Sequence, residues 1–274
     1  MFVIDSQIHC WEESAEFPTP DSARANHGAE HTVRQALARM DANGIARSIL
    51  VPFGSWISDA MKNRYALDAA AKYPNRFAVM GQFEFDLPNA GEALATWRRD
   101  GMLGIRRYFR FSAKPLQELD WFWRGLVDHD IPFMSAAPNR MAAFAPVLER
   151  FPSLRLIIDH AGREPFDLQD EAVWADLNDT LDLARFRNVS IKVSSLPCFS
   201  SAPYPFPVLH EPIHRIYDAF GPDRMLWGSD VTRLKWSFED NMRLFTEALP
   251  FLSDEDKQWI MGRSAAKACR WEMT

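Results

Sequence analysis

The stretch IDSQIHCW, residues 4–11, alternates an acid, an amide and an imidazole. If this stretch forms a β-strand, side chains two residues apart share a face, so Asp5, Gln7 and His9 are predicted to point the same way. Such alternation can offer two ligands to one divalent ion, which imidazole nitrogens and carboxylate oxygens bind well. An amide oxygen is a neutral and weaker donor. Gln7 therefore leaves open whether this site holds a metal.

Polar side chains also end several other apolar segments: GIRRY (104–108), IDHAGR (158–163), IKVSS (191–195) and WGSD (227–230). A single histidine or arginine in such a place is most simply explained by structural hydrogen bonds. Independent structural roles, however, need not place so many polar groups at corresponding positions. The joint occurrence predicts one functional site, and its candidate residues beyond the first strand are Arg106, His160, Arg163, Lys192, Asp230 and Arg233.

These residues require a scaffold that brings distant segments together. Short apolar or β-branched runs predict eight strands, at 2–9, 46–52, 76–83, 102–109, 131–137, 154–160, 189–195 and 225–230. Helical periodicity predicts helices at 30–43, 63–73, 115–130, 139–151, 167–186, 211–220 and 237–249, and a last helix from Ser253. Alternating units without a break in composition predict one α/β domain over residues 1–274, and eight of them favour a (β/α)₈ TIM barrel.

A doubly wound sheet is the alternative fold, but no glycine-rich phosphate-binding turn follows the first strand. In a barrel, the carboxyl ends of all strands meet at one mouth, where barrel enzymes bind their substrates. Long connections after the first and seventh strands, 10–29 and 196–212, are predicted to flank this mouth. Aromatic side chains that suit a pocket wall are Trp11, Trp56, Phe109 and Tyr204.

The composition is that of a compact globular protein. Of 274 residues, 47% are hydrophobic and 25% charged, with a net charge of −6 and no Lys/Arg-rich run. We therefore expect no nucleic-acid partner and, without a long apolar stretch or signal peptide, no membrane partner. Three widely spaced cysteines fit a reducing compartment, so a cytoplasmic location is expected. A homodimer is compatible with the sequence.

The set IDSQIH, GIR, IDHAGR and WGSD, in this order over nearly the whole chain, resembles the amidohydrolase-related group of the amidohydrolase superfamily. Members of this group include lactone hydrolases and non-oxidative decarboxylases. The family pattern is a His-x-His on the first strand, a mid-barrel His and a final-strand Asp. It falls here on Gln7 and His9, on His160 and on Asp230. The resemblance implies either one divalent metal, most readily zinc, held by His9, His160 and Asp230, or a metal-free site.

The resemblance and the many cations predict hydrolysis of a small, carboxylated lactone, an anionic substrate. Asp230 would take a proton from water, and His9 and His160 would orient that water or bind an ion that acidifies it. The residues expected to contact the substrate are Gln7, Arg106, Arg163, Lys192, Tyr204 and Arg233. Two alternatives stay open: decarboxylation of an aromatic or enol acid, and a barrel that binds a small acid without turning it over.

Overall fold

A computed structural model describes residues 1–15, 18–21, 24, 28, 30–53, 58–86, 88–109, 116–163 and 169–272. Eight parallel strands follow one another in chain order. They are β1 (Val3–Ile8), β2 (Ile45–Leu50), β3 (Phe77–Gly81), β4 (Met102–Arg106), β5 (Phe133–Ser135), β6 (Leu156–Ile158), β7 (Val189–Lys192) and β8 (Met225–Leu226). Backbone hydrogen bonds from Ser6 to the Trp227 carbonyl (3.2 Å) and from Asp230 to the Gln7 carbonyl (2.9 Å) join β1 to the segment that follows β8. The predicted (β/α)₈ barrel is confirmed.

Helices surround the strands. They are α1 (Val33–Ala42), α2 (Asp59–Lys72), α3 (Ala90–Thr96), α4 (Asp120–Asp128), α5 (Ala145–Arg150), α6 (Leu177–Leu181), α7 (Pro207–Phe220), α8 (Phe238–Arg243), α9 (Asp254–Gln258) and α10 (Ser264–Cys269). Helix α1 begins with a capping box, because Thr32 Oγ1 accepts from the Gln35 backbone and the Gln35 side chain accepts from the Thr32 backbone. Within the described ranges, no helix is both long and apolar enough to cross a membrane.

The helix boundaries differ from the sequence predictions in several places. The sequence patterns do not predict helix α3, because its seven residues are too few to show a clear period. Helix α4 begins at Asp120, whereas the predicted start at Pro115 lies outside the described residues. The first two residues of the predicted helix 167–186 lie outside the described residues, and the rest of it divides into two 3₁₀ turns flanking α6. Helix α7 begins at Pro207 and continues through Pro212, so the last part of the predicted loop 196–212 is helical.

The barrel core below the site is apolar. Ile4, Ile49, Met80, Met134 and Leu226 belong to one buried cluster with neighbouring strand residues and with residues of α10. The larger buried cluster includes apolar residues from both strands and helices. Burial on both faces explains why the strands lack clear polar alternation. Polar side chains inside this apolar surrounding must therefore pair with one another.

Candidate active site

The chain turns sharply after three neighbouring strands. His160 after β6, Ser195 after β7 and Asp230 after β8 all have left-handed backbone conformations, with φ of 47°, 62° and 47°. This conformation costs a residue with a side chain about 1 kcal/mol or more. Three such residues at one end of the barrel form a pattern typical of functional sites. The same turns end the strands earlier than the sequence predicts.

The structure brings together the two imidazoles and the acid that the sequence singles out. His9 Nε2 lies 3.1 Å from Asp230 Oδ1. His160 Nε2 lies 3.7 Å from Asp230 Oδ2. All three residues are buried. The carboxylate of the last strand thus contacts an imidazole from the first strand and another from the sixth.

Hydrogen bonds to the other ring nitrogens orient both imidazoles. His9 Nδ1 lies 2.7 Å from the Val51 carbonyl oxygen. His160 Nδ1 lies 2.9 Å from Ser194 Oγ and 3.3 Å from the Ser194 carbonyl oxygen. Because a carbonyl oxygen only accepts, each Nδ1 carries the hydrogen, and each Nε2 of a neutral ring carries a lone pair. Burial lowers the pKa of His160 to about 3, so this ring is neutral near pH 7.

Asp230 is held in its ionised form. Burial alone would raise its pKa, but His9, whose Nε2 lies 3.1 Å away, and the charge of Arg233 hold that pKa well below its ordinary value. Ser195 Oγ donates to Asp230 Oδ2 over 2.7 Å, and Arg233 Nε lies 3.6 Å from the same oxygen. The site therefore contains a buried carboxylate that can accept a proton.

A second carboxylate, Asp159, pairs with two cations in the barrel. Lys192 Nζ donates to Asp159 Oδ1 and Arg106 Nε donates to Asp159 Oδ2, both over 2.8 Å. Burial would raise the pKa of Asp159, but Lys192 and Arg106 lower it below its ordinary range. Burial lowers the pKa of Lys192, and Asp159 opposes this effect. The three groups form a compact buried ion cluster that fixes the position of Arg106.

Gln7 connects this ion cluster to His9. Its Oε1 accepts a hydrogen bond from Lys192 Nζ, and its Nε2 lies 3.2 Å from His9 Nε2. The Gln7 side chain is fully buried. The position at which the family pattern has a histidine thus holds a hydrogen-bonding amide.

Four buried polar atoms of the site have no hydrogen-bond partner among the described residues. They are Arg106 Nη2, Tyr108 Oη, His160 Nε2 and Asp230 Oδ1. The Arg106 guanidinium lies over the Tyr108 ring, 4.1 Å from its centre. Burial raises the pKa of Tyr108, so its hydroxyl stays protonated and can donate. Two donors and two acceptors are therefore available to a substrate and a water molecule.

Other predicted site residues lie elsewhere. Arg163 is buried against the segment that leads into α6, where its guanidinium donates to Asp176 and to Thr180 Oγ1. Tyr204 packs on Phe206 and on the Arg243 guanidinium, whose Cζ lies 4.2 Å from the ring centre. The backbone N–H of Arg163 donates to the His160 carbonyl oxygen over 2.9 Å, but the Arg163 guanidinium and the Tyr204 ring make their described contacts away from the His9–Asp230–His160 side chains.

The other side chains that the sequence placed at or near the site also differ in where they lie. Phe109 packs in the apolar core, with ring centres of Trp123 and Phe133 at 5.9 and 6.1 Å. Trp11 packs near Phe53, whose ring also contacts His9, while Trp56 lies outside the described residues. The expectation that Asp5 points with Gln7 and His9 is not met. Asp5 Oδ1 accepts from the Gln7 and Ser229 backbones instead, next to a register shift in β1.

Sequence reasoning did not select Asp159 or Tyr108 as site residues. Each left a signal. Lys192 and Arg106 in buried strands require a buried carboxylate, and Asp159 at the end of β6 supplies it. Tyr108 lies two residues after Arg106, at the spacing that places two strand side chains on one face.

The arrangement does not fit a divalent metal ion. In the part of the chain that the structure describes, no group of three or more His, Cys, Asp or Glu side chains is placed to hold one. His160 Nε2 and Asp230 Oδ1 offer open electron pairs. The Nε2 atom of His9, in contrast, faces the Gln7 amide nitrogen. The candidate ligand set His9, His160 and Asp230 is thus incomplete as a metal centre.

A (β/α)₈ barrel with a buried carboxylate between two imidazoles at its carboxyl mouth defines a class of barrel enzymes that activate water at their strand ends. The family described as Amidohydrolase matches residues 4–271, and the chain belongs to this family. It is a hydrolase of this family. The chain is 28% identical over 256 residues to the L-fucono-1,5-lactonase of Burkholderia ambifaria, covering 87% of this chain and 84% of the lactonase.

Solved structures share the fold. An amidohydrolase from Burkholderia multivorans with bound zinc has a TM-score of 0.79 at 21% identity, covering 98% of this chain and 99% of that one. A probable 2-pyrone-4,6-dicarboxylic acid hydrolase from Acinetobacter baumannii with bound citric acid has a TM-score of 0.79 at 20% identity, covering 99% and 100%. Decarboxylases also share the fold, so the fold alone does not distinguish hydrolysis from decarboxylation.

Proposed function

We propose that the protein hydrolyses a small lactone, with Asp230 as the base that activates water. The observation that carries this proposal is the pairing of open acceptors, Asp230 Oδ1 and His160 Nε2, with open donors on Arg106 and Tyr108. Ester hydrolysis needs both kinds of group. Acceptors orient a water molecule and take its proton, and donors stabilise the oxyanion that forms on the carbonyl carbon. The similarity to a lactonase supports the same reaction.

The reaction follows from these roles. A water molecule donates one hydrogen to Asp230 Oδ1 and the other to His160 Nε2. Its oxygen attacks the lactone carbonyl while its proton passes to Asp230. Arg106 Nη2 and Tyr108 Oη donate hydrogen bonds to the oxyanion. When the ring C–O bond breaks, the leaving alkoxide takes the proton back from Asp230, which yields the open hydroxy acid and restores the carboxylate.

The net charge of the site limits the charge that a substrate can carry. Three cationic side chains, Arg106, Lys192 and Arg233, face two carboxylates, Asp159 and Asp230, so a single positive charge is in excess. Arg163, expected from the sequence to add another cation, pairs with Asp176 instead. This balance favours a lactone that is neutral or carries one carboxylate. A hydroxylated sugar lactone meets this condition, as does a monocarboxylated lactone.

The test is a panel of lactones, whose ring opening by the purified 274-residue chain is assayed by acid release. The panel contains hydroxylated 1,5- and 1,4-lactones and lactones with one or two carboxylates. We expect ring opening well above the spontaneous rate for neutral or singly charged lactones, and loss of this activity in Asp230→Asn. Carbon dioxide release from aromatic acids, with no lactone opened, would instead support decarboxylation. Binding of small acids without either reaction would support a silent barrel.

A further inference from the structure

The Arg106 guanidinium uses only half of the edge that it turns towards Asp159. Its Nε donates to Asp159 Oδ2 over 2.8 Å. Nη2 lies on the same edge of the planar guanidinium, and arginine–carboxylate pairs frequently use two parallel N–H···O hydrogen bonds. Here Nη2 is buried and has no hydrogen-bond partner among the described residues. Arg106 and Asp159 therefore form a single hydrogen bond, although their chemistry allows a double one.

Lys192 binds the second oxygen of the same carboxylate. Its Nζ donates to Asp159 Oδ1 over 2.8 Å, and both side chains are fully buried. Oδ1 is the oxygen that would complete a double pair with the Arg106 guanidinium. The single pairing of Arg106 thus coincides with the contact that Lys192 makes.

The Lys192 ammonium is surrounded by protein acceptors. An ammonium group has three hydrogens and only donates. Besides Asp159, Nζ donates to Gln7 Oε1 and lies 3.9 Å from Met134 Sδ, a weak acceptor. Three protein acceptors account for three donors. This geometry favours a role for Lys192 inside the ion cluster over the substrate contact expected from the sequence.

We infer that Lys192 is a positioning residue, which keeps Arg106 Nη2 available to the substrate by occupying Asp159 Oδ1. Without the ammonium, Oδ1 would accept from Nη2, and the double pair would turn this donor away from the substrate. The catalytic part of the inference rests on the proposed function, in which Arg106 Nη2 stabilises the oxyanion. Its structural part rests only on contacts among these buried side chains.

Crystal structures of a single variant and of wild type test the structural part without a substrate. Lys192→Met removes the ammonium, keeps an unbranched side chain, and leaves Asp159 with Arg106 as its charged partner. In this variant we expect Nη2 to donate to Asp159 Oδ1 beside the existing bond from Nε to Oδ2. A Lys192→Met structure in which Nη2 remains unpaired would overturn the inference. So would a wild-type crystal structure with Nη2 hydrogen-bonded to Oδ1, a measurement that needs no variant to fold.

A double variant, Lys192→Met with Asp159→Asn, is designed to restore the single pairing. Asparagine offers one oxygen and one NH₂ group, so its side chain cannot accept from Nε and Nη2 through two separate oxygens. Removing one cation and one anion also keeps the net charge of the cluster at its wild-type value. We expect Nη2 to be free again in the crystal structure of this variant.

Kinetics of the same variants test the catalytic part. Losing one oxyanion donor lowers kcat by about 10²-fold or more, so we expect this loss in Lys192→Met, with little change in KM and equally on neutral and carboxylated lactones. The double variant should recover at least about tenfold of the lost kcat. Lys267→Met, which breaks an exposed pair with Asp223, is the matched control and should leave kcat unchanged.

Two kinetic results would contradict the inference. If Lys192 only stabilised the fold, the double variant would be no more active than Lys192→Met. If Lys192 bound a substrate carboxylate, its loss would raise KM for carboxylated lactones alone.

The structural and kinetic measurements separate failure of the inference from failure of the proposed function. If wild type opens no lactone but the crystal structures show the expected pairing, the proposed function fails and the structural part of the inference stands. If wild type opens lactones and Lys192→Met retains its kcat, the inference fails and the proposed function stands.

Discussion

At the scale of single residues, burial and a few partners set the protonation state of each group. Asp230 stays ionised because His9 and Arg233 oppose the effect of burial on its pKa. His160 stays neutral because burial dominates over the nearby carboxylates. A buried, ionised carboxylate beside a neutral imidazole can take a proton from water without first losing one of its own. This pairing is the chemical basis of the proposed hydrolysis.

Replacing Asp230 by asparagine tests this assignment. The amide side chain can still accept from Ser195 Oγ, so the fold should be retained, but it cannot take a proton. We expect kcat on the best lactone to fall by about 10²- to 10⁴-fold with little change in KM. Asp218→Asn, an exposed carboxylate on α7, is the control and should leave kcat unchanged. An Asp230→Asn protein that keeps a tenth of the wild-type rate would contradict the role of Asp230.

Tyr108→Phe separates catalysis from stability. The Tyr108 hydroxyl is buried and has no described hydrogen-bond partner, so its removal relieves an unsatisfied group. We expect the free energy of unfolding to stay level or rise by about 1 kcal/mol. If the hydroxyl donates to the oxyanion, kcat falls by about 10²-fold in the same variant. Denaturant titration and steady-state kinetics measure both effects.

The matched control for Tyr108→Phe is Tyr73→Phe, at the end of α2, where no change in kcat is expected. A Tyr108→Phe variant that loses stability and retains full activity would show that the hydroxyl has a structural partner and no role in the reaction.

At the scale of elements, the sequence predicts all eight strands because most of them are largely apolar, as parallel strands covered on both faces require. It also brings His9, His160 and Asp230 to one mouth, because strand ends in a barrel converge. The turns after β6, β7 and β8 were not predictable, since Ser195 carries no local signal for a left-handed conformation, and His160 and Asp230 belong to residue types that adopt it only in a minority of cases. The partner of Arg163 depends on how the chain after β6 packs, which local patterns do not encode.

Glycines in two elements give contrasting predictions. Gly262 lies in the π-helical turn Trp259–Arg263, and a Cβ atom there would collide with the Phe2 carbonyl oxygen. We expect Gly262→Ala to lower the free energy of unfolding by about 1–3 kcal/mol, because backbone cannot yield as a flexible side chain does. Gly91 lies in α3 with open space around it, so Gly91→Ala should raise stability by about 0.5–1 kcal/mol. Equal effects at both positions, measured by denaturant unfolding, would contradict this packing.

At the scale of the whole molecule, the barrel closes where β8 meets β1, and Asp5 lies at this seam. Its Oδ1 accepts from the Ser229 backbone over 2.8 Å and from the Gln7 backbone over 3.1 Å. Regular strand alternation would place Asp5 with the site residues. The register shift between Asp5 and Ile8 breaks that alternation. Asp5 therefore helps to close the barrel by linking β1 to the segment after β8. Its titration is expected to affect the stability of the entire fold.

The pH dependence of stability should show the Asp5 carboxyl directly. Burial raises the pKa of Asp5 from 3.8 to about 6, against smaller lowering effects from Ser229, Gln7 and Lys192. Because the native state favours the protonated form, its stabilising contribution is complete below about pH 4 and is lost as pH rises through about 6. At about 1.4 kcal/mol for each pKa unit, the loss is about 3 kcal/mol. An asparagine side chain does not titrate, so the Asp5→Asn variant lacks this loss.

We therefore expect the free energy of unfolding of Asp5→Asn, relative to wild type, to rise by about 3 kcal/mol between about pH 4 and about pH 7. Urea unfolding of both proteins across this range measures the difference and removes the contributions of all other titrating groups. The sign of this change in relative stability with pH is the decisive feature. If the relative stability of Asp5→Asn fell with rising pH, the native carboxylate at the seam would be favoured over the carboxylic acid, and closure of the barrel would depend on its charge.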